Sequence, residues 1–211
     1  MEMPPPVDKP PAIDVPPEAP AAVPFICTEL LGLGVAGQWW PTFEAMMDTA
    51  HWEYRSVQMA YVDTWAMPNS AAWQALVQSP CATGAATPDR VLLIVFSTTL
   101  NTQQEYVTNT SAAVATIKMK YPGVKRIELL TTLRSPNNQL CAGKDPNTIV
   151  PAAVDAALAA VAKASVGGEV VVGPKIAVTD CAWWMGATTT LTGAGPMGVG
   201  QLYADYYKDH L

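Results

Sequence analysis

The run from Arg90 to Phe96, Arg-Val-Leu-Leu-Ile-Val-Phe, constrains this chain more than any other segment. It is β-branched and apolar without alternation, so both of its faces must be covered. That is the signature of a strand inside a parallel sheet flanked by helices. Four weaker segments also read as strands: Ile26 to Gly34, Trp52 to Tyr61, Lys125 to Thr132, and Glu169 to Val178. Helical patterns separate them. Pro41 fits a first helical turn, followed by the apolar face of Phe43, Met46 and Met47. Ser70 to Gln78 reads as a short helix, and Thr102 to Tyr121 as a long one that Pro122-Gly123 ends. Pro151 to Ser165 is Ala-rich with Val154, Leu158 and Val161 inward, and a last helix carries Val199, Leu202, Tyr203 and Tyr206. This alternation predicts an α/β fold: a three-layer α/β/α sandwich with a five-stranded parallel sheet in the flavodoxin-like order 2-1-3-4-5.

The segment before the first strand is different. Residues 1–24 are dense in proline with scattered acids, which predicts an extended, disordered tether contributing little to stability. Residues 25–211 form the folded domain. Such a tether commonly joins a domain to an anchor, so an export signal or lipid anchor is expected upstream, as in a lipoprotein. The protein is then secreted, periplasmic or held at the cell surface. Charged residues make up only 14% of the chain, so the surface must be built largely from neutral polar groups, and the net charge of −6 comes without a basic cluster. Phosphate-driven nucleic-acid binding and an anionic-membrane patch are both disfavoured. No apolar run is long enough for a transmembrane helix.

Four cysteines, Cys27, Cys81, Cys141 and Cys181, occur without a Cys-x-x-Cys pair, which favours disulfides over a metal site. Four cysteines allow three pairings. In the order 2-1-3-4-5 the first and third strands are neighbours, with Cys27 and Cys81 at or before their amino ends. Cys141 and Cys181 follow the carboxyl ends of the neighbouring fourth and fifth strands. The expected pairs are Cys27–Cys81 and Cys141–Cys181.

The first strand and turn, Leu30-Leu-Gly-Leu-Gly-Val-Ala-Gly-Gln-Trp-Trp40, resemble the first block of the SGNH (GDSL-like) hydrolases. So do the turn Ser97-Thr-Thr-Leu-Asn101, the strand entry Tyr121-Pro-Gly-Val-Lys-Arg-Ile127, and the segment Thr190-Leu-Thr-Gly-Ala-Gly195. The resemblance extends over nearly all of Ile26 to Tyr207. It implies an ester hydrolase whose serine follows the first strand, whose asparagine follows the third, and whose histidine precedes the last helix. Here those positions are occupied by Gly34, Asn101 and Thr190, and the family's aspartate position by Ala187. The implied state is a divergent, catalytically inactive member. His51 falls at the opposite end of the sheet, and His210 beyond the last helix. Ser97 and Thr98 are the candidate substitute nucleophiles.

Ligands of such sheets sit outside the carboxyl ends of the strands. Five of the seven tryptophans, Trp39, Trp40, Trp65, Trp183 and Trp184, fall after strands on that side. Indole faces stack on sugar rings. With Asn101 they form the candidate ligand site, and Asn137, Asn138, Gln139 and Thr189 could add neutral hydrogen bonds. Three functions stay open: a binding module for polysaccharide or another ring-bearing small ligand, an SGNH-type esterase or acyl hydrolase with a rearranged site, and a structural or protein-interaction domain. No cofactor and no metal is implied.

Overall fold

The computed structural model describes residues 25–32, 35–82, 87–133, 151–176, 178, 181–183 and 190–208. Five parallel strands, β1 (Thr28–Gly32), β2 (Trp52–Ser56), β3 (Arg90–Val95), β4 (Arg126–Thr131) and β5 (Val170–Val172), form one sheet in the order 2-1-3-4-5. Helices α1 (Ala36–Met46) and α5 (Gly195–Lys208) cover one face. Helices α2 (Val62–Ala66), α3 (Gln103–Lys120) and α4 (Pro151–Ala164) cover the other. The sandwich expected from the strand–helix alternation is therefore present.

Side-chain alternation along each strand sorts the two cores. Leu30, Leu92, Ile94 and Leu130 point to α1 and α5, while Leu31, Val91, Leu93, Val95 and Leu129 point to the other helices. All six residues of β3 are buried, as its uninterrupted apolar sequence requires of a central strand. The long helix α3 starts on a complete capping box: Thr102 Oγ1 accepts from the amide of Glu105, and the Glu105 carboxylate accepts from the amide of Thr102.

Several boundaries differ from the sequence reading; the second strand, for one, ends at Ser56 rather than Tyr61, which instead precedes α2. Helix α1 begins at Ala36, so Pro41 lies inside it rather than in its first turn. Ala36, Trp39, Trp40 and Phe43 are buried at the i, i+3, i+4, i+7 spacing, and that stripe holds the helix across the missing proline donor. The short helix read at Ser70 to Gln78 is a single 3₁₀ turn at Ala71–Gln74, preceded by the unexpected α2. Strand β5 pairs over three residues only, with Gly173 packed against Leu130.

Cys27 and Cys81 are joined in a disulfide with Cα atoms 5.8 Å apart. The pairing is the expected one, but the route is different. Gln78 exchanges backbone hydrogen bonds with Tyr54, and the Ala82 amide donates to Ala50 O, so this segment runs antiparallel beside β2. Cys81 thus arrives past the amino end of β2 rather than β3, and the same segment covers an edge strand. Cys141 and the side chain of Cys181 lie outside the described residues, as does the tether at 1–24.

The amino half of the sheet carries buried charge on both faces. Arg90 donates from Nε to Thr28 Oγ1 (2.9 Å) and lies 3.8 Å from Glu128, whose carboxylate accepts from Tyr207 Oη (3.0 Å). Its guanidinium stacks over the rings of Phe25, Trp52 and Tyr207 at 4.5, 4.8 and 5.4 Å. On the other face Arg55 pairs with the fully buried Glu29 (2.7 Å) and donates to the carbonyls of Trp73 and Ala75. Each arginine thus has carboxylate and neutral partners, which a buried charge needs.

Burial also fixes the alkaline behaviour. Tyr54, Tyr106, Tyr121, Tyr203 and Tyr207 are buried, and loss of hydration raises the pKa of each phenol, that of Tyr54 to about 12. The folded-state pKa lies above the unfolded one. The resulting stability is therefore fully present below the ordinary phenol pKa of about 10 and is lost as pH rises toward the folded value. Ultraviolet titration should show these five phenols ionising only in step with loss of circular dichroism above pH ~10. Their ionisation in one early step, with the fold intact, would contradict the burial.

Candidate functional site

The carboxyl edge of the sheet is assembled from three turns. The described residues on either side of the β1–α1 connection pack tightly. A methyl group on Gly32 would lie 2.9 Å from the Ala36 side chain, and one on Gly37 would lie 2.9 Å from Tyr54 Oη. After β2, Tyr61 leads into α2, and the Val62 amide donates to Phe96 O (2.9 Å), which brings the Tyr61 and Phe96 rings to 5.7 Å edge to face. After β3, residues Ser97 to Asn101 fold into a hydroxyl-rich turn before α3.

That turn contains both candidate nucleophiles. Ser97 is only 3% exposed, and its Oγ lies 3.0 Å from Thr99 Oγ1 and accepts from the Thr99 amide. Its carbonyl accepts from Tyr106 Oη. The hydroxyl closes its own turn and is not presented to a substrate. Thr98 is exposed. Asn101 is exposed too, with its side-chain amide donating to Thr99 O and its backbone amide to Glu105. Those amides of Asn101 and Thr102, with the Thr102 hydroxyl, hold the Glu105 carboxyl below its ordinary range. Asn101 therefore acts in a cap, and its amide is already committed.

The segment preceding α5 joins the edge through Gln38, on the first turn of α1. Gln38 Oε1 accepts from the Leu191 amide (2.8 Å), which places Thr190 beside the start of α1. Trp183 accepts from the Thr192 amide through its carbonyl and lays its partly buried ring on Gly198 of α5. Gly34, Ala187, Trp184, Asn137, Asn138, Gln139, Thr189 and His210 lie outside the described residues. His51 sits at the amino edge, with Nδ1 2.9 Å from Ile26 O and Nε2 3.5 Å from Asp48. It is thus at the far end of the sheet from Ser97, as the sequence implied.

The tryptophans behave differently from the sequence reading. Trp39 is 2% exposed and stacks on Tyr203 at 4.4 Å; Trp40 is 4% exposed and stacks on Tyr54 at 5.0 Å. Trp65 is fully buried on the opposite face of the sheet, edge to face with Trp73. These three rings belong to the cores and were misplaced at the ligand edge. In α1 the residues after the first strand turn inward along the helical stripe, so proximity in sequence to the strand end did not bring exposure. Among the described members of the set, only Trp183 keeps part of its ring at the surface. Tyr61, Phe96 and Gln38 were missed. Tyr61 and Phe96 were read as strand ends, and no local pattern distinguishes a partly exposed ring there from a core one.

The described carboxyl edge thus offers partly exposed rings (Tyr61, Phe96, Trp183), neutral amides and hydroxyls (Gln38, Thr98, Asn101, Thr190), and two carboxylates: Glu105 in the capping box and Asp63 in the first turn of α2, one of whose oxygens is buried without a hydrogen-bond partner. Among the described residues no histidine lies at this edge, since His51 stands at the amino end of the sheet. Comparison with known proteins returns no matching family model, no matching curated protein and no matching solved structure.

The seating of Trp183 is testable. A methyl on Gly198 would lie 2.1 Å from Trp183 Cη2. Gly198→Ala must displace the indole, at a cost of about 1–3 kcal/mol as for other overpacked sites, with a red shift in tryptophan emission. An unchanged melting temperature and spectrum would show that the ring does not rest there.

Proposed function

We propose that this chain is a non-hydrolytic recognition domain on an SGNH-hydrolase-like α/β frame. It works outside the cytoplasm, and its ligand is a neutral carbohydrate or another ring-bearing small molecule held at the carboxyl edge of the sheet. The observation that carries this reading is the state of the only buried serine in the β3 turn. Ser97 Oγ is bonded to Thr99, and the described histidine, His51, stands at the amino edge. A serine hydrolase needs an exposed hydroxyl with an imidazole in hydrogen-bond reach.

The ligand class follows from what the edge presents. Aromatic rings beside amide and hydroxyl groups suit sugars, which offer apolar ring faces and many hydroxyls. The Cys27–Cys81 disulfide and the proline-rich segment at 1–24 support an exported, tethered protein. The family assignment rests on the sequence blocks around Gly34, Asn101 and Thr190; fold alone does not carry function.

Two assays on the purified chain decide among the readings. Hydrolysis of p-nitrophenyl acetate and butyrate should be no faster than that of the Ser97→Ala/Thr98→Ala double variant. Ester turnover that this variant abolishes would establish the rearranged esterase instead. On a glycan array the chain should bind, with signal lost in Trp183→Ala and weakened in Gln38→Ala. Absence of both turnover and glycan binding would leave the structural or protein-interaction role.

A further inference from the structure

The disulfide at the amino edge has a third member. Glu53, on β2, accepts from the Cys81 backbone amide through Oε2 (3.1 Å), and one of its carboxylate oxygens lies within 4.8 Å of the sulfurs of both Cys27 and Cys81. The residue before β1, a residue of β2 and the returning loop thus converge two sulfurs and a carboxylate, on the opposite end of the sheet from the carboxyl edge. Glu53 is also the register partner of the buried Glu29, whose nearest cation, Arg55, is committed to Glu29 itself. Negative charge on adjacent strands therefore exceeds the positive charge beside it.

We propose that, once the Cys27–Cys81 bond is reduced, Cys27, Cys81 and Glu53 bind a thiophilic divalent cation of the zinc class. Two thiolates and one carboxylate are a familiar ligand type for zinc, with water completing four-coordination. A zinc ion holds two thiolate sulfurs about 3.8 Å apart, given Zn–S bonds of about 2.3 Å. Side-chain rotation alone supplies that spacing between Cα atoms 5.8 Å apart. The balance is simple. A dithiol reductant is oxidised to its own disulfide as the Cys27–Cys81 bond takes up two electrons and two protons. The cation then replaces both thiol protons, which leave to solvent. The site is a redox switch: covalent when oxidised, metal-stapled when reduced, with the same three segments held together in either state.

The test is titration of Co²⁺ into the full chain, oxidised and dithiol-reduced, followed by thiolate-to-cobalt charge-transfer absorbance. Competition with Zn²⁺ and melting curves with and without Zn²⁺ complete it. The reduced chain should take up one equivalent, displaced by Zn²⁺, and its melting temperature should rise with Zn²⁺. The oxidised chain should show no such band. Cys81→Ser should abolish the band. Glu53→Gln, which keeps the fold through its disulfide when oxidised, should weaken uptake about tenfold or more after reduction. A reduced chain that takes up no metal, folded or not, would overturn the proposal. So would uptake that persists in Cys81→Ser or is unchanged in Glu53→Gln, because the ligands would then lie elsewhere.

Discussion

Arg90 is the group on which the rest of this structure depends. It begins the central strand, fully buried, and its one side chain touches five other parts of the chain. It reaches β1 through Thr28, β4 through Glu128, the start of β2 through the Trp52 ring, and α5 through Tyr207, while Phe25 closes over it from the entering segment. A buried guanidinium tolerates no loosening, because each lost partner leaves charge without hydration. Deleting one member of such a pair costs about 3–5 kcal/mol. The register of the parallel sheet and the seating of its last helix are therefore specified at the same point.

The aromatic rings follow from that arrangement. Once Tyr207 is drawn to Glu128, helix α5 lies close along α1, and the room between them is narrow. Gly200 meets Trp39 O and Thr42, where a methyl would come within 2.7 Å. Trp39 and Tyr203 fill the seam as stacked rings, and Trp40 continues it onto Tyr54 of β2. Large rings opposite glycines give interdigitation in place of a cleft. Among the described residues the carboxyl edge keeps the Tyr61–Phe96 pair, the outer part of Trp183, and a rim of amides and hydroxyls with the carboxylates of Asp63 and Glu105.

Much of the fold was legible in the sequence because it is written in long patterns. The run at Arg90 to Phe96, the helical repeat of Thr102 to Tyr121 and the alternation of types are dictated by burial on a parallel sheet, and the strand order follows. The pairing of Cys27 with Cys81 was legible too, although its path along β2 was not, since nothing local marks Gln78 as a strand partner. Helix α1 was read late because Pro41 is a local signal, and the stripe from Ala36 to Phe43 outweighs it only when α5 and the sheet are present. The candidate site was less legible. His51 was placed correctly by topology alone. Trp39, Trp40 and Trp65 were not, because a tryptophan after a strand reads the same whether its ring turns to the ligand edge or into the core.

Hydroxyl-radical footprinting of the native chain, read residue by residue by mass spectrometry, tests most directly the claim that these rings build the core and leave a small aromatic edge. Trp39, Trp40 and Trp65 should stay unmodified until the protein unfolds, while Trp183, Tyr61 and Phe96 are oxidised in the native state. Oxidation of Trp39 and Trp40 at the rate of Trp183, with the fold intact, would contradict the account and return the ligand cleft to the first helix.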